Sequence, residues 1–419
     1  SLALCSMLAA AGALGTGCTQ DIGSSSDNVT DVPHTDVERQ SIGNCWLYAQ
    51  ASWVESMNLA ATGEQFDVSQ SYWTYWHWYD EITSGWGTDD EISTGGNQWT
   101  SNDLVRERGI MPEIEFVPDD SRGEMSYTQE SALNQVNREL SDGGRLETRE
   151  ARQDRALVRQ VLDEAWGLSP QVIEYLNTAF GEDGSRTLRN GGTTDGTPIV
   201  AAEAFPVRYT VRDSYSGEVS VKDTTVDVAI DEWHTESYPG SGYWGGSAEG
   251  RRDFQIRVQR ALHDSQPVVI TWDVDFNAME SDYGDDRIGS FNLRTLQDEG
   301  GPGRQGGHMT VLEDYQAVTQ DYGLLAAGVT LDPEIPEDAA KLEAALEPST
   351  EIVFFRIKNS WGAFRDDRAS APGFPGYHDL YMDYMDGPID WCPSVDDKTE
   401  ESCTGTTVPF NSVMLPPGY

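Results

Sequence analysis

From Trp46 to Ala61 the residues Trp46, Leu47, Gln50, Trp53, Val54, Met57, Ala60 and Ala61, apolar but for Gln50, return at three- and four-residue intervals, and Thr62-Gly63 ends the run. That spacing predicts an amphipathic helix with Cys45 at its N-terminus. Tyr72, Tyr75, Trp76 and Tyr79 form a second helical stripe, read as core packing, with an aromatic ligand cage as the alternative. Residues 85–99 read as loop. Residues 124–180 carry helical patterns, clearest in 157–166 and 170–180, and 181–197 return to loop. Residues 199–230 alternate as strands do. A helix over 253–263 leads into an apolar strand over 267–272, with further strands at 308–318 and 351–358. No internal repeat of solenoid period is present.

The N-terminal pattern differs. Residues 2–14 are small and apolar, too short to span a bilayer, and run into Gly15-Thr16-Gly17-Cys18, where the chain turns polar. Residues 1–18 therefore read as a signal peptide. The small residues before Cys18 resemble a bacterial lipoprotein cleavage site, which implies lipid on Cys18. An ordinary secretory signal and a buried apolar helix are the alternatives. Residues 19–33 form a polar, Ser/Asp-rich spacer expected to be disordered. The remainder divides into a helical lobe (34–120), an insertion (121–250), a β-rich lobe (251–390) and a tail (391–419).

Composition narrows the partners. The 419 residues carry 28 Lys plus Arg against 71 Asp plus Glu, a net charge of −43. Such a field repels phosphate backbones and anionic headgroups, so nucleic-acid binding is not expected, nor membrane contact beyond a lipid anchor at Cys18. With 13 Trp, 17 Tyr and 12 Phe the chain is too aromatic to be a disordered acidic polymer. Cys392 and Cys403 bracket a short polar loop, and a disulfide between them would staple the tail in an oxidising compartment. Cys5 leaves with the signal. Cys45 remains an odd thiol, either buried and inert or reactive by design.

Several motifs lack the context their chemistry needs. Gly301 to Gly306 matches a dinucleotide fingerprint in letters but contains Pro302 and precedes a strand instead of a helix. The clusters Asp89-Asp90-Glu91, Asp273/Asp275 and Asp282/Asp285/Asp286 lack the spacing of a calcium loop and read as solvated acidic faces. The six His show no zinc spacing. Neither a metal nor an organic cofactor is expected.

Three segments carry chemistry: Gln40-Ser-Ile-Gly-Asn-Cys45-Trp46, Gly306-Gly-His308-Met-Thr-Val, and Lys358-Asn359-Ser-Trp361-Gly362. A thiol attacks a carbonyl as thiolate, and both a helix N-terminus and an imidazolium favour that form. An imidazole can then protonate the leaving amine while an amide side chain orients it. Taken singly, Cys45 is a buried helix thiol, His308 a core histidine and Asn359 a turn residue. Together and in this order they resemble the papain superfamily of cysteine peptidases. The resemblance implies Cys45 as nucleophile, His308 as general acid/base and Asn359 as its orienting group. It assigns the oxyanion donors to the Cys45 N–H and Gln40, and a shield over the His–Asn bond to Trp361, beside Trp46.

Thiol and imidazole lie 263 residues apart, and imidazole and amide 51, so a large insertion is expected between the first two. Residues 65–72, Gly95-Gly96-Asn-Gln-Trp99 and Arg108-Gly-Ile-Met-Pro112 are similar to stretches of the bleomycin-hydrolase and aminopeptidase C branch. On that resemblance Gly95 and Gly96 border the substrate cleft, where their missing side chains let a peptide backbone lie close; a plain tight turn is the other reading.

The sequence departs from the family pattern in three respects. Gln40 lies five residues before the cysteine instead of six, with Arg39 at the sixth position. Met309 follows the histidine where Ala is common, and Glu313-Asp314 could shift pH dependence. Only 27 residues separate Cys18 from Cys45, too few for an inhibitory pro-domain, so activity without maturation is expected.

The expected fold is thus α+β: a papain-like two-lobe fold, with a helical lobe carrying the nucleophile helix, a β-barrel-like lobe and a large α/β insertion. The expected activity is hydrolysis of peptides through a Cys45 acyl-enzyme, in a bacterial cell envelope or secreted. The rivals are a catalytically weak peptide-binding protein of the envelope and an acyl transferase using the same thiol.

Overall fold

The structure, a computed structural model, describes residues 32–84, 91–241, 246–365, 368–371, 373–392 and 403–419. The signal segment with Cys18, nearly all of the spacer, and the acidic pair Asp89-Asp90 lie outside these residues. Val32, at the spacer's end, is buried in the core.

The helical run at the start of the chain is α1 (Cys45–Thr62), closed by Gly63 in the left-handed region, whose N–H bonds Leu59 O at 2.8 Å. Glycine adopts that conformation without steric cost. The aromatic stripe becomes α2 (Gln70–Ser84), where Tyr72, Trp73, Tyr75, Trp76, Trp78 and Tyr79 are all buried, as core packing requires. Asn97 caps α3 (Gln98–Arg108) by accepting the Trp99 and Thr100 N–H groups, and a single turn, α4 (Glu113–Phe116), follows. Residues 121–250 begin with α5 (Tyr127–Leu140), α6 (Arg149–Gln153), α7 (Arg155–Ala165) and α8 (Pro170–Phe180). Asp154 caps α7, and Ser169 caps α8, whose first residue is Pro170.

The alternating stretch 199–230 is only partly strand. It makes the antiparallel hairpin of β1 (Pro206–Arg212) and β2 (Val219–Thr225), then turns into α9 (Val226–Glu232). There Val226, Ala229 and Ile230 are buried at helical spacing, a pattern too short to stand out against the alternation before it. These elements are not a separate body. Buried residues of α5, α7, α8, β1 and α9 share one hydrophobic core with α1 to α3.

The remaining elements are β3 (His234–Ser237), α10 (Ala248–His263), β4 (Val268–Asp275), α11 (Leu293–Asp298), β5 (Gln305–Thr319), β6 (Gly323–Leu325), α12 (Pro336–Ala345), β7 (Glu351–Lys358), β8 (Tyr377–Tyr381), α13 (Met382–Met385), β9 (Ile389–Trp391), β10 (Gly405–Thr407) and β11 (Phe410–Leu415). An antiparallel sheet runs β3-β11-β4-β5-β7-β8, with β6 paired to β5. β3 and β8 end it unjoined, so the lobe expected to be barrel-like is an open sheet among the described residues. Alternation along β4 and β5 divides their side chains between two cores. Val269, Met309 and Val311 join the helical core, while Ile270, Trp272 and Leu312 join a second core with Phe291, Phe355 and Leu380. The fold is α+β, with α1 packed on the central strand β5.

Candidate active site

Two lobes meet where α1 begins. Asn44, immediately before Cys45, gives its amide to Thr74 Oγ1 and Gln129 Oε1, both at 3.0 Å, which pins the start of α1 to α2 and α5. Its side chain is therefore engaged sideways and does not cap α1. Cys45 is a partly buried free thiol. Burial pushes it up to about 11, against which act the backbone N–H groups of Met309, Trp46 and Cys45 itself. The Met309 contact joins the thiol to β5 one residue after His308.

His308 faces Trp272 across the β4–β5 ladder, and β7, the other neighbour of β5, ends one residue before Asn359. This antiparallel pairing brings residues 51 apart in sequence together: His308 Nε2 and Asn359 Oδ1 lie at 2.8 Å. Because Oδ1 only accepts, Nε2 carries the hydrogen and Nδ1 is left as the basic nitrogen. Oδ1 also accepts the Ser360 N–H at 2.8 Å. Trp361 stacks on the imidazole, centroids 4.9 Å apart at 20°, and Trp272 meets it edge-on at 5.5 Å. Arg368 in turn covers the outer face of this group, 4.2 Å from the Trp361 ring. His308 is 7% exposed. Burial drives it down to about 4; Asn359 opposes the shift, and Arg368 and His378 add to it. Thiol and imidazole are thus both held toward their neutral forms.

The segment before Cys45 is sewn to the segment after Asn359. Gln40 N donates to Ser360 O at 2.9 Å, and Gly362 N to Glu38 O at 3.1 Å. Gln40 Oε1 accepts the Ser360 hydroxyl at 2.5 Å, while Nε2 donates to Ile42 O at 2.6 Å. The shortened loop therefore still brings Gln40 beside Asn359-Ser360, with one of its two Nε2 hydrogens committed to its own loop. Arg39, at the sixth position, does not replace it: its side chain reaches Phe364 O.

Trp46 lies under the glycine pair. Its Nε1 donates to Thr94 O at 3.0 Å, and a Cβ on Gly96 would sit 2.3 Å from the indole. Gly95 and Gly96 are both exposed. His77 packs edge-on against Trp46 at 5.0 Å and is driven down to about 4 by burial, with the Gly95 backbone opposing.

The tail reaches the same strand from the other side. Cys392 and Cys403 form a disulfide, Cα atoms 4.0 Å apart, between β9 and β10. Gln305, the first residue of β5, accepts Cys392 N at 2.6 Å and donates to Asp390 O at 2.8 Å. The dinucleotide-like loop is held just upstream by the fully buried Asp275, which accepts Gly303 N and Gln305 Nε2. Tyr419 is anchored elsewhere, its hydroxyl on Thr210 and Asp264.

Some of these contributions escape sequence reasoning. The Met309 N–H is a backbone group with no side-chain signature. Ser360 lies inside the quoted Asn-Ser-Trp-Gly segment, and its hydroxyl was legible there as a donor. Glu313-Asp314 is a buried bulge of β5, where Asp314 accepts the Tyr315 and Gly328 N–H groups; the charges acting on His308 come instead from Arg368 and His378.

No protein-family model matches this chain, and no curated protein matches it. Among solved structures it is similar to xylellain, a cysteine protease from Xylella fastidiosa, at 13% identity, covering 93% of this chain and 85% of that one with a TM-score of 0.33. A likeness of that size assigns neither family nor activity.

Proposed function

We propose that this protein is a papain-like cysteine peptidase. The observation that carries the reading is the hydrogen bond from His308 Nε2 to Asn359 Oδ1 beneath Trp361, one residue from the Met309 N–H that meets the Cys45 thiol. As Sγ attacks a peptide carbonyl carbon, its proton passes to His308 Nδ1. The carbonyl oxygen takes the electron pair and is met by the Cys45 N–H and the second Nε2 hydrogen of Gln40. The imidazolium then gives its proton to the leaving amine, and a thioester remains on Cys45. Water attacks that thioester, His308 takes one of its protons and returns it to the sulfur, and the acid departs. Substrates would be peptides lying along Gly95 and Gly96, in a cell-envelope protein anchored through Cys18. The bleomycin-hydrolase branch is the finer form of this proposal.

A second reading is favoured by two features: burial pushes the thiol up and the imidazole down, each toward its neutral form, and Gln40 spends one donor hydrogen on Ile42. It is a peptide-binding protein that keeps the cleft without turnover. Intact mass after treatment with an epoxysuccinyl thiol probe separates the two. Peptidase chemistry predicts rapid addition of one probe, abolished by Cys45→Ala and reduced at least tenfold by His308→Ala. Absence of labelling in freshly reduced protein would overturn the peptidase and leave the binding protein.

A further inference from the structure

Residues 92–96 run beside the start of α1 and join no sheet. Among the described residues, 93–96 make no backbone–backbone hydrogen bond. Ser93, Gly95 and Gly96 are exposed. Exposed backbone without a ladder opens readily, so nothing in the segment itself fixes its course. Side chains from three helices do that instead.

Ile92, part of the helical core, gives its N–H to Asn137 Oδ1 of α5 at 2.9 Å. Ser93 N donates to Glu81 Oε1 of α2 at 2.9 Å. Thr94 O accepts Trp46 Nε1 of α1 at 3.0 Å, and a Cβ on Gly43 would stand 2.7 Å from Thr94 Oγ1, so the segment also touches the turn before Cys45. The Gly95 backbone bonds the imidazole of His77 on α2. Each residue from 92 to 95 is thus held by a different side chain.

Two of those tethers belong together. His77 and Glu81 lie one turn apart on α2. Glu81 Oε1 is spent on Ser93, while Oε2 faces His77 Nε2 at 3.7 Å, beyond hydrogen-bond reach, and neither of these two buried atoms has another partner. A pair that only steadied α2 would sit in solvent; these side chains are 15% and 11% exposed, and His77 packs edge-on against Trp46. We infer that His77 and Glu81 are positioning residues for substrate, holding residues 93–95 at the distance from Cys45 that a peptide laid along Gly95 and Gly96 requires. The inference rests on the peptidase reading for what occupies the cleft. Ordering the segment in advance removes a cost from binding, so the effect falls on affinity for the peptide and not on bond formation at sulfur.

Saturation kinetics of a peptidyl epoxysuccinate on the full chain test this, because Ki reads the reversible docking of the peptide and kinact the reaction of Cys45. Glu81→Ala should raise Ki about two- to tenfold, the worth of one hydrogen bond. Its kinact should stay unchanged, as should the rate of Cys45 alkylation by iodoacetamide, which has no peptide to place. Glu81→Gln, whose Oε1 still accepts the Ser93 N–H and whose amide can donate toward His77 Nε2, should recover most of the loss. His77→Phe, which keeps a ring against Trp46 without its polar contacts, should raise Ki as well. Amide hydrogen exchange over residues 92–97 reads the segment independently of the thiol: it should be faster in Glu81→Ala and return to the parent rate in Glu81→Gln. The two readings therefore fail separately. Absence of probe addition to the parent protein would overturn the peptidase, and hydrogen exchange would then decide the tethers. Unchanged Ki or unchanged exchange in Glu81→Ala would overturn the positioning role with the peptidase intact, and so would a parallel fall of kinact and the iodoacetamide rate, which would mark general disruption.

Discussion

Removing the Asn359 amide tests the site at its best-defined bond. Asn359→Ala deletes the acceptor 2.8 Å from His308 Nε2 and leaves a buried N–H with no partner. A buried donor stranded in this way costs about 1–3 kcal/mol. Trp361 and Trp272 still hold the ring on two sides, so the imidazole stays in the site and the loss falls on its orientation and basicity. The sign on the pKa is downward, because Asn359 is the group opposing burial. At about 1.4 kcal/mol per tenfold, the rate of Cys45 alkylation should fall roughly 5- to 150-fold. Stopped reactions read by intact mass give that rate, beside kcat/KM on a fluorogenic peptide. Asn359→Asp, which keeps an acceptor, should recover part of the loss. Alkylation of Asn359→Ala within twofold of the parent protein would refute the orienting role.

Two further outcomes follow from the same geometry. Gly96→Ala inserts a Cβ 2.3 Å from the buried Trp46 indole, so either the glycine segment or Trp46 must move; thermal stability should fall by about 1–3 kcal/mol and peptide KM should rise several-fold, and an unaltered KM would remove Gly96 from the cleft. Stability should also fall as pH rises from 6.5 to 8. Burial raises Glu55 to about 7 and Glu113 to about 8, so their contribution is complete below the unfolded carboxylate pKa and is lost as pH passes those values. The depressed His77, His263, His308 and His378 act oppositely, losing their contribution only as pH falls from 6.5 through about 4, so above 6.5 the carboxylates act alone. Urea unfolding at successive pH values should show Glu113→Gln flattening this decline by roughly 2 kcal/mol; parallel curves for the two proteins would contradict the assignment.

What the sequence made legible was local. The run after Cys45 ends at the glycine the pattern predicts, α8 spans the expected 170–180, and β7 covers 351–358, because caps, Pro170 and unbroken apolar runs are short-range signals. α9 was hidden because three apolar residues after an alternating stretch cannot declare a new period. The interior charges were hidden for a different reason. Glu55 on a helix, Glu113 on a single turn and Lys358 at a strand end look solvent-facing in one dimension, and only the packing of α1 against β5 and β7 encloses them. The disulfide partners could be paired from their short loop, but not the fact that Gln305 ties that loop to the strand of His308.

The buried site also fixes when charge can appear in it. Burial pushes the Cys45 thiol up and the His308 imidazole down, so each is held toward its neutral form. On the proposed mechanism, ionisation is helped by the forming sulfur–carbon bond, when the developing oxyanion takes over the negative charge and meets the Cys45 and Gln40 donors. On this account Trp361 and Arg368 do two things at once. They keep water from the His308–Asn359 bond, which strengthens it, and they add to the environment that drives His308 toward its neutral form.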